Sequence, residues 1–180
     1  MNTTRRELLK LLGLSSAGLV VGCTLPTASP RAQDDAGWQV DAFLHLSPEG
    51  ELTFVFPRAE MGQGIMHGLT TLVAEELTLA PERIAVLQAP ADEAYGNPLF
   101  PGNLQGTGGS TSMLAHFEGL RQAGAILCAA LLNAAAKTLS VDVAILGLDE
   151  GYVVAGNDHH PWGKFVTAAA AQPLPETASL

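Results

Sequence analysis

The chain has 180 residues and a formal net charge of −9, with 47% of residues hydrophobic and 15% charged. That is enough apolar material for one core of ordinary domain size, and the acidic balance leaves no basic stripe for nucleic acid. The two cysteines, Cys23 and Cys128, give neither a disulfide framework nor a metal-ligand spacing, and Cys128 in AGAILCAALL reads as a small buried hydrophobe.

Residues 1–22 read as an export signal. Arg5 and Arg6 in TTRRELLK precede the mildly apolar LLGLSSAGLVVG, which is too short to span a bilayer comfortably. The pattern resembles a twin-arginine signal, the route for folded, cofactor-loaded cargo to the periplasm; an ordinary secretory signal is the alternative. Cys23 after LVVG also fits lipoprotein processing, which would anchor the mature chain to a membrane. Cleavage further on, near TASPRAQ, is the other option. Residues 23–37 read as a linker, 38–175 as the domain proper, and 176–180 as an end where a next domain is expected.

In FLHLSPEGELTFVFP, two strands are expected around a Ser47–Gly50 turn. Phe43, Val55 and Phe56 supply strand-type side chains, and Pro57 ends the pairing because it has no N–H to give. After Gly62-Gln63-Gly64, Ile65, Leu69, Leu72, Val73 and Leu77 recur at helical period, with Glu75 and Glu76 on a solvated face. PERIAVLQA reads as a turn feeding a buried strand, Ile84 to Leu87. PADEAYGNPLFPGNLQGTGGSTS has no period, and a loop of that length inside a domain is often functional. Ser110 or Thr111 can cap a long helix towards Leu139, with Leu114, Phe117, Leu120, Ala123 and Leu127 along one side. A hairpin around Asp149-Glu150-Gly151 and a short helix after Trp162 complete the chain. The fold class expected is α+β, short β-hairpins with two main helices packed on them.

Two glycine-rich stretches, EMGQG and GTGGSTS, each stand just before a helix. There, backbone N–H groups lack intrahelical partners and the helix dipole favours negative charge. Thr107, Ser110, Thr111 and Ser112 add hydroxyls, and Gln63 offers an amide donor and an acceptor. Neither stretch is a Walker loop or a dinucleotide fingerprint. Read by themselves, they leave anion binding and simple turn formation equally open.

Taken in order, PRAEMGQG, GLTTLVAEEL, ERIAV, APAD, YGNPLF, QGTGGSTS and RQAGA resemble the start of the large subunit of periplasmic molybdenum hydroxylases. The likeness is to the isoquinoline oxidoreductase beta subunit and aldehyde-oxidising relatives, within the xanthine dehydrogenase–aldehyde oxidase family. The resemblance implies that Met61, Gly62, Gln63 and the adjoining Gly64 meet the molybdenum–pterin unit. It implies that Thr107, Gly108, Gly109, Ser110, Thr111 and Ser112 hold pterin or nucleotide phosphate. The cofactor implied is molybdenum–molybdopterin in its cytosine dinucleotide form, shared with further parts of the subunit. The reaction implied is hydroxylation of an N-heterocycle or aldehyde, a small-molecule substrate, with oxygen from water. Electrons would leave through a [2Fe–2S] small subunit towards a cytochrome c.

The family's general base is a far C-terminal glutamate, so Glu60, Glu75 and Glu76 are not assigned that role. The chain is expected to be an N-terminal fragment without activity of its own. A small exported or lipid-anchored, non-catalytic α+β binding module is the alternative. His67 is expected near the pocket mouth rather than on a metal. His45 and His116 are expected to be satisfied structural or surface residues, and His159-His160 to lie in a solvated loop. Tyr95 to Phe100 can either line a substrate funnel or pin the loop to the core.

Overall fold

Alternation of buried and half-buried positions along its two central strands builds the first sheet in the computed structural model, which describes residues 38–176 and 178. The readings placed on Arg5, Arg6, Cys23 and the 23–37 linker lie outside the described residues. Strand β3 (Leu52–Phe56) buries Leu52, Phe54 and Phe56 and leaves Thr53 and Val55 half-buried, the period of two a pleated strand imposes. It pairs antiparallel with β2 (Leu44–Leu46), which pairs in turn with β1 (Trp38–Gln39). On its other side β3 pairs parallel with β4 (Ala85–Gln88), giving the order β1-β2-β3-β4.

The Ser47–Gly50 turn closes the β2–β3 hairpin, with Gly50 at φ 89° donating to the Ser47 carbonyl. A Cβ at Gly50 would lie 2.5 Å from Trp162 Cδ1. Trp162 Nε1 also donates to the Gly50 carbonyl at 2.6 Å. Only glycine fits there, and the hairpin tip is clamped under the indole.

Helix α1 (Ile65–Glu76) makes the crossover between β3 and β4, burying Ile65, Leu69 and Val73 at the expected period. The long helix α2 (Thr111–Leu139) packs along it. A Cβ at Gly68 would sit 2.9 Å from Met113 Cε, and one at Gly124 would sit 2.9 Å from Glu76 Cβ. Near that second contact, Arg121 Nε and Glu76 Oε1 form an ion pair at 2.7 Å. These contacts advance together along both helices, so α1 and α2 run parallel and their N-termini share one end. Beyond α2, strands β5 (Leu146–Asp149), β6 (Tyr152–Ala155) and β7 (Asp158–Pro161) form an antiparallel sheet, followed by α3 (Gly163–Ala170). The core runs from Leu44, Leu46 and Phe54 through Leu69, Leu127 and Leu131 to Val153 and Phe165.

The α+β expectation is met, and the structure corrects several details. The strand read as buried is Ala85–Gln88, an edge strand whose side chains are mostly exposed; it has a neighbour on one side only, and of the expected run only Ile84 is buried. Leu114 and Phe117 do not share the side of Leu120, Ala123 and Leu127. They are 73% and 42% exposed, because six residues of helix rotate a side chain by roughly 240°. Glu75 is exposed as expected, but Glu76 is mostly buried against α2 by its pairing with Arg121. His159 and His160 lie on β7, an edge strand of the second sheet, and not in a loop.

Candidate functional site

The parallel crossover fixes where a ligand can sit. Strand β3 ends at Phe56, and Pro57, Arg58 and the first glycine-rich loop lead directly into α1. The second glycine-rich loop enters α2 at the same end. Between them lies an open hollow of about 380 Å³, lined by Met61, Gln63, Gly64, Ile65, Thr107, Gly108, Ser110, Ser112 and Met113. The hollow therefore stands beyond the carboxyl end of β3, at the N-termini of two parallel helices, where both dipoles favour negative charge. Of the residues expected at the site, Gly62, Gly109 and Thr111 do not line the hollow; the others do.

The first loop is closed upon itself. Gly62 and Gly64 adopt φ 89° and 78°, a region that glycine enters freely. The Glu60 carboxylate accepts from Gly62 N–H at 2.7 Å, Gly64 N–H at 3.1 Å and Met66 N–H at 2.9 Å. Those bonds, Met66 first and then Gly64, hold its carboxyl below the usual carboxylate range. Gln63 folds back as well: its Oε1 accepts from Met61 N–H at 2.6 Å, and its Nε2 donates to the Ala59 carbonyl at 2.9 Å. The expectation of free N–H groups and a free amide is corrected here, because Glu60 and Gln63 use them within the loop. One N–H bond of the Gln63 amide remains to give.

The second loop is open. Gly109 and Ser110 both take left-handed backbone, φ 60° and 54°, and Ser110 at the helix N-cap makes no side-chain cap bond. Thr111 does not cap either; its hydroxyl donates to the Gly108 carbonyl at 2.9 Å and accepts from Asn97 Nδ2 at 2.7 Å. Among the described residues, the first-turn N–H groups of Ser112 and Met113 and the hydroxyls of Ser110 and Ser112 have no partner. Gly108 has no positive φ, and a Cβ there would meet nothing within 4 Å of the chain. Its lack of a side chain answers no packing need of this domain and keeps the hollow open.

Two residues that the sequence did not single out hold the loops in register. Arg58 is 1% exposed. Its guanidinium donates to the carbonyls of Pro57, Tyr95 and Gly96 at 2.9, 3.0 and 2.7 Å. Asn97 is fully buried; besides Thr111 it receives Leu99 N–H on its side-chain oxygen at 3.0 Å. Thr107 Oγ1 then accepts from Ala59 N–H at 2.8 Å, joining the two loops directly. Their sequence signal was weak, since a charged residue after a strand and an Asn before a proline usually mark a solvated turn.

Tyr95 donates its hydroxyl to the Ala42 carbonyl at 3.0 Å and stacks edge-on with Phe43, while Phe100 covers Gly106. Those aromatics pin the loop to the rest of the domain. His116 is buried beneath them, edge-on to Phe43, with Nε2 unpartnered. Burial, and then Arg58, pushes its pKa down to about 4, which corrects its reading as a satisfied histidine. His67 is exposed and borders a separate hollow with Met66, Thr70 and Val86. No group of three or more metal-ligating side chains occurs among the described residues.

A family model described as the molybdopterin cofactor-binding domain matches residues 2–180. The chain is 32% identical over 155 residues to the isoquinoline 1-oxidoreductase subunit beta of Brevundimonas diminuta, covering 84% of this chain and 20% of that protein. It is 26% identical over 157 residues to a membrane-bound aldehyde dehydrogenase [pyrroloquinoline-quinone] of Gluconacetobacter polyoxogenes, covering 83% and 19%. The chain thus spans about a fifth of the length of these curated relatives. Among solved structures, it shares a fold with quinoline 2-oxidoreductase from Pseudomonas putida 86, at TM-score 0.54 and 17% identity over 72% of this chain and 16% of that one. Carbon monoxide dehydrogenase from Oligotropha carboxidovorans gives TM-score 0.50 at 20% identity, over 68% and 15%.

Proposed function

This chain belongs to the molybdopterin cofactor-binding domain family, and from that premise we propose that the hollow between its two glycine-rich loops holds one face of a molybdenum–molybdopterin cofactor, in the cytosine dinucleotide form. The observation that carries the proposal is the convergence of two parallel helix N-termini on one hollow whose second loop has donors to spare. Ser110, Ser112 and the first-turn N–H groups of α2 would take phosphate oxygens. Gln63 would direct its remaining N–H at the molybdenum end, and Met61, 69% exposed, would cover the pterin edge. Gly108 leaves room for close approach. When bound, the cofactor supplies two-electron oxidation, with water as the oxygen source.

The chain's own residues bind and orient. None is placed as a proton acceptor, because the Glu60 carboxylate is already engaged by three N–H groups and Glu76 is paired with Arg121. On this reading the chain is a cofactor-binding part of an oxidoreductase for N-heterocycles or aldehydes and is inactive alone. It would work in the periplasm after twin-arginine export, with a [2Fe–2S] small subunit as partner and a cytochrome c as acceptor. A membrane anchor would require lipidation of Cys23.

The test is metal and pterin content of the complete subunit. Gln63→Ala and Ser110→Ala should each lower bound molybdenum while the circular dichroism spectrum stays that of the parent. Full molybdenum occupancy in both variants would refute the assignment and favour a non-catalytic binding module.

A further inference from the structure

The two loops present opposite faces to an anion, and one side chain accounts for the difference. Loop one has the better geometry for anion capture: two glycines with positive φ turn the N–H groups of Gly62, Gly64 and Met66 to one side at a helix N-terminus, an arrangement that makes a small anion-binding concavity. That concavity already contains an anion. Glu60 spans it, with one carboxylate oxygen on Gly62 and Gly64 and the other on Met66. A carboxylate tethered two residues away is present at high effective concentration, and a free phosphate would have to displace it from the same donors. Like charge adds to the exclusion even in water. Loop two has no such residue: it carries Thr107, Ser110, Thr111 and Ser112 but no Asp or Glu between Glu93 and Glu118.

We infer that Glu60 is a positioning residue, whose carboxylate holds the loop carrying Gln63 in place and bars a ligand's anionic groups from the first helix end. The consequence is directional. A ligand with one anionic end and one neutral end enters with its anionic end towards Gly109–Met113 and its neutral end towards Gln63. This part rests on the proposed cofactor reading; the closure of loop one by Glu60 does not.

Two-dimensional NMR of the isotope-labelled full chain, with inorganic phosphate as the probe, separates these claims. In the parent, a pH titration should move the Gly62, Gly64 and Met66 amide signals together, with a midpoint below the usual carboxylate range. At neutral pH, phosphate should leave those three signals in place. In Glu60→Ala, phosphate should move them saturably. Glu60→Gln keeps an acceptor without the charge and should fall between. A merely structural role for Glu60 would not create a phosphate response. The inference is overturned if phosphate shifts Gly62, Gly64 and Met66 in the parent, or if their signals show no common carboxyl titration. That second measurement needs no variant and decides the matter even if Glu60→Ala fails to fold. If Gly109, Ser112 and Met113 stay unmoved while loop one behaves as described, the cofactor reading fails and the role of Glu60 stands.

Discussion

The two ends of α2 are built by different physics. At its C-terminal half, Leu127, Leu131, Ala134 and Ala135 are buried against α3 and the second sheet, where Val153, Phe165 and Val166 are also buried. At its N-terminal end, the loops are held by directional hydrogen bonds that Arg58 and Asn97 donate and that Thr107 and Glu60 accept, and Met61, Leu104, Leu114 and Phe117 stand exposed. Apolar burial supplies most of a domain's stability but tolerates small shifts, whereas hydrogen bonds contribute little net energy and fix geometry closely. The difference teaches that stability and site shape are separable here.

The largest break should come at the apolar end. Phe165→Ala removes a fully buried ring and should cost about 3–5 kcal/mol, read as a lower urea midpoint. Amide signals of the still-folded loop residues Gly62 and Gly64 should hardly move. A loop perturbation as large as the core's would show that the two ends are not separable.

Acid should loosen the junction between them. The His116 ring takes a proton near its ordinary 6.5 when unfolded but only at about 4 in the fold, so between those values the unfolded chain binds more protons. Its contribution, about 3 kcal/mol, is complete above the unfolded value and is lost as pH falls towards about 4. His116→Phe should flatten that part of the stability–pH curve. An unchanged slope would show that other groups carry it.

Asn97→Ala leaves the Leu99 N–H without a partner and takes away the donor to the Thr111 hydroxyl, for about 1–3 kcal/mol. Its larger effect should be geometric, a gain in hydrogen exchange confined to residues 97–111. Smallest of all, Ser110→Gly relieves a left-handed serine and should raise stability by under about 1 kcal/mol. Molybdenum content of the complete subunit should nevertheless fall. A variant that is both more stable and fully loaded would sever the link between Ser110 and the cofactor.

Much of the framework was legible from residue order. The β2–β3 hairpin, the face of α1 and the helix after Trp162 follow from local period and turn residues, which act over a few positions whatever surrounds them. The two glycine-rich loops could be marked as candidates for the same reason. Their occupancy could not: Glu60 lies beside loop one in the chain, but only the folded loop shows its carboxylate closing on three N–H groups. The errors along α2 and at β4 share one cause. Periodicity says that a face exists, and the neighbours decide which face is buried and whether a strand has one partner or two.

The sequence by itself determined most of the elements, β7 excepted, with their turns and the chemistry placed at two helix starts, because backbone propensity and side-chain period are local. Only the tertiary structure decided that α1 and α2 lie parallel, so that both N-termini open on one hollow. It alone showed that Arg58 and Asn97 hold the second loop there through buried hydrogen bonds. The bonds from Arg58 to Tyr95 and Gly96 and from Asn97 to Thr111 join residues far apart in the chain, and most of the acceptors are backbone carbonyls, which every sequence carries and none advertises.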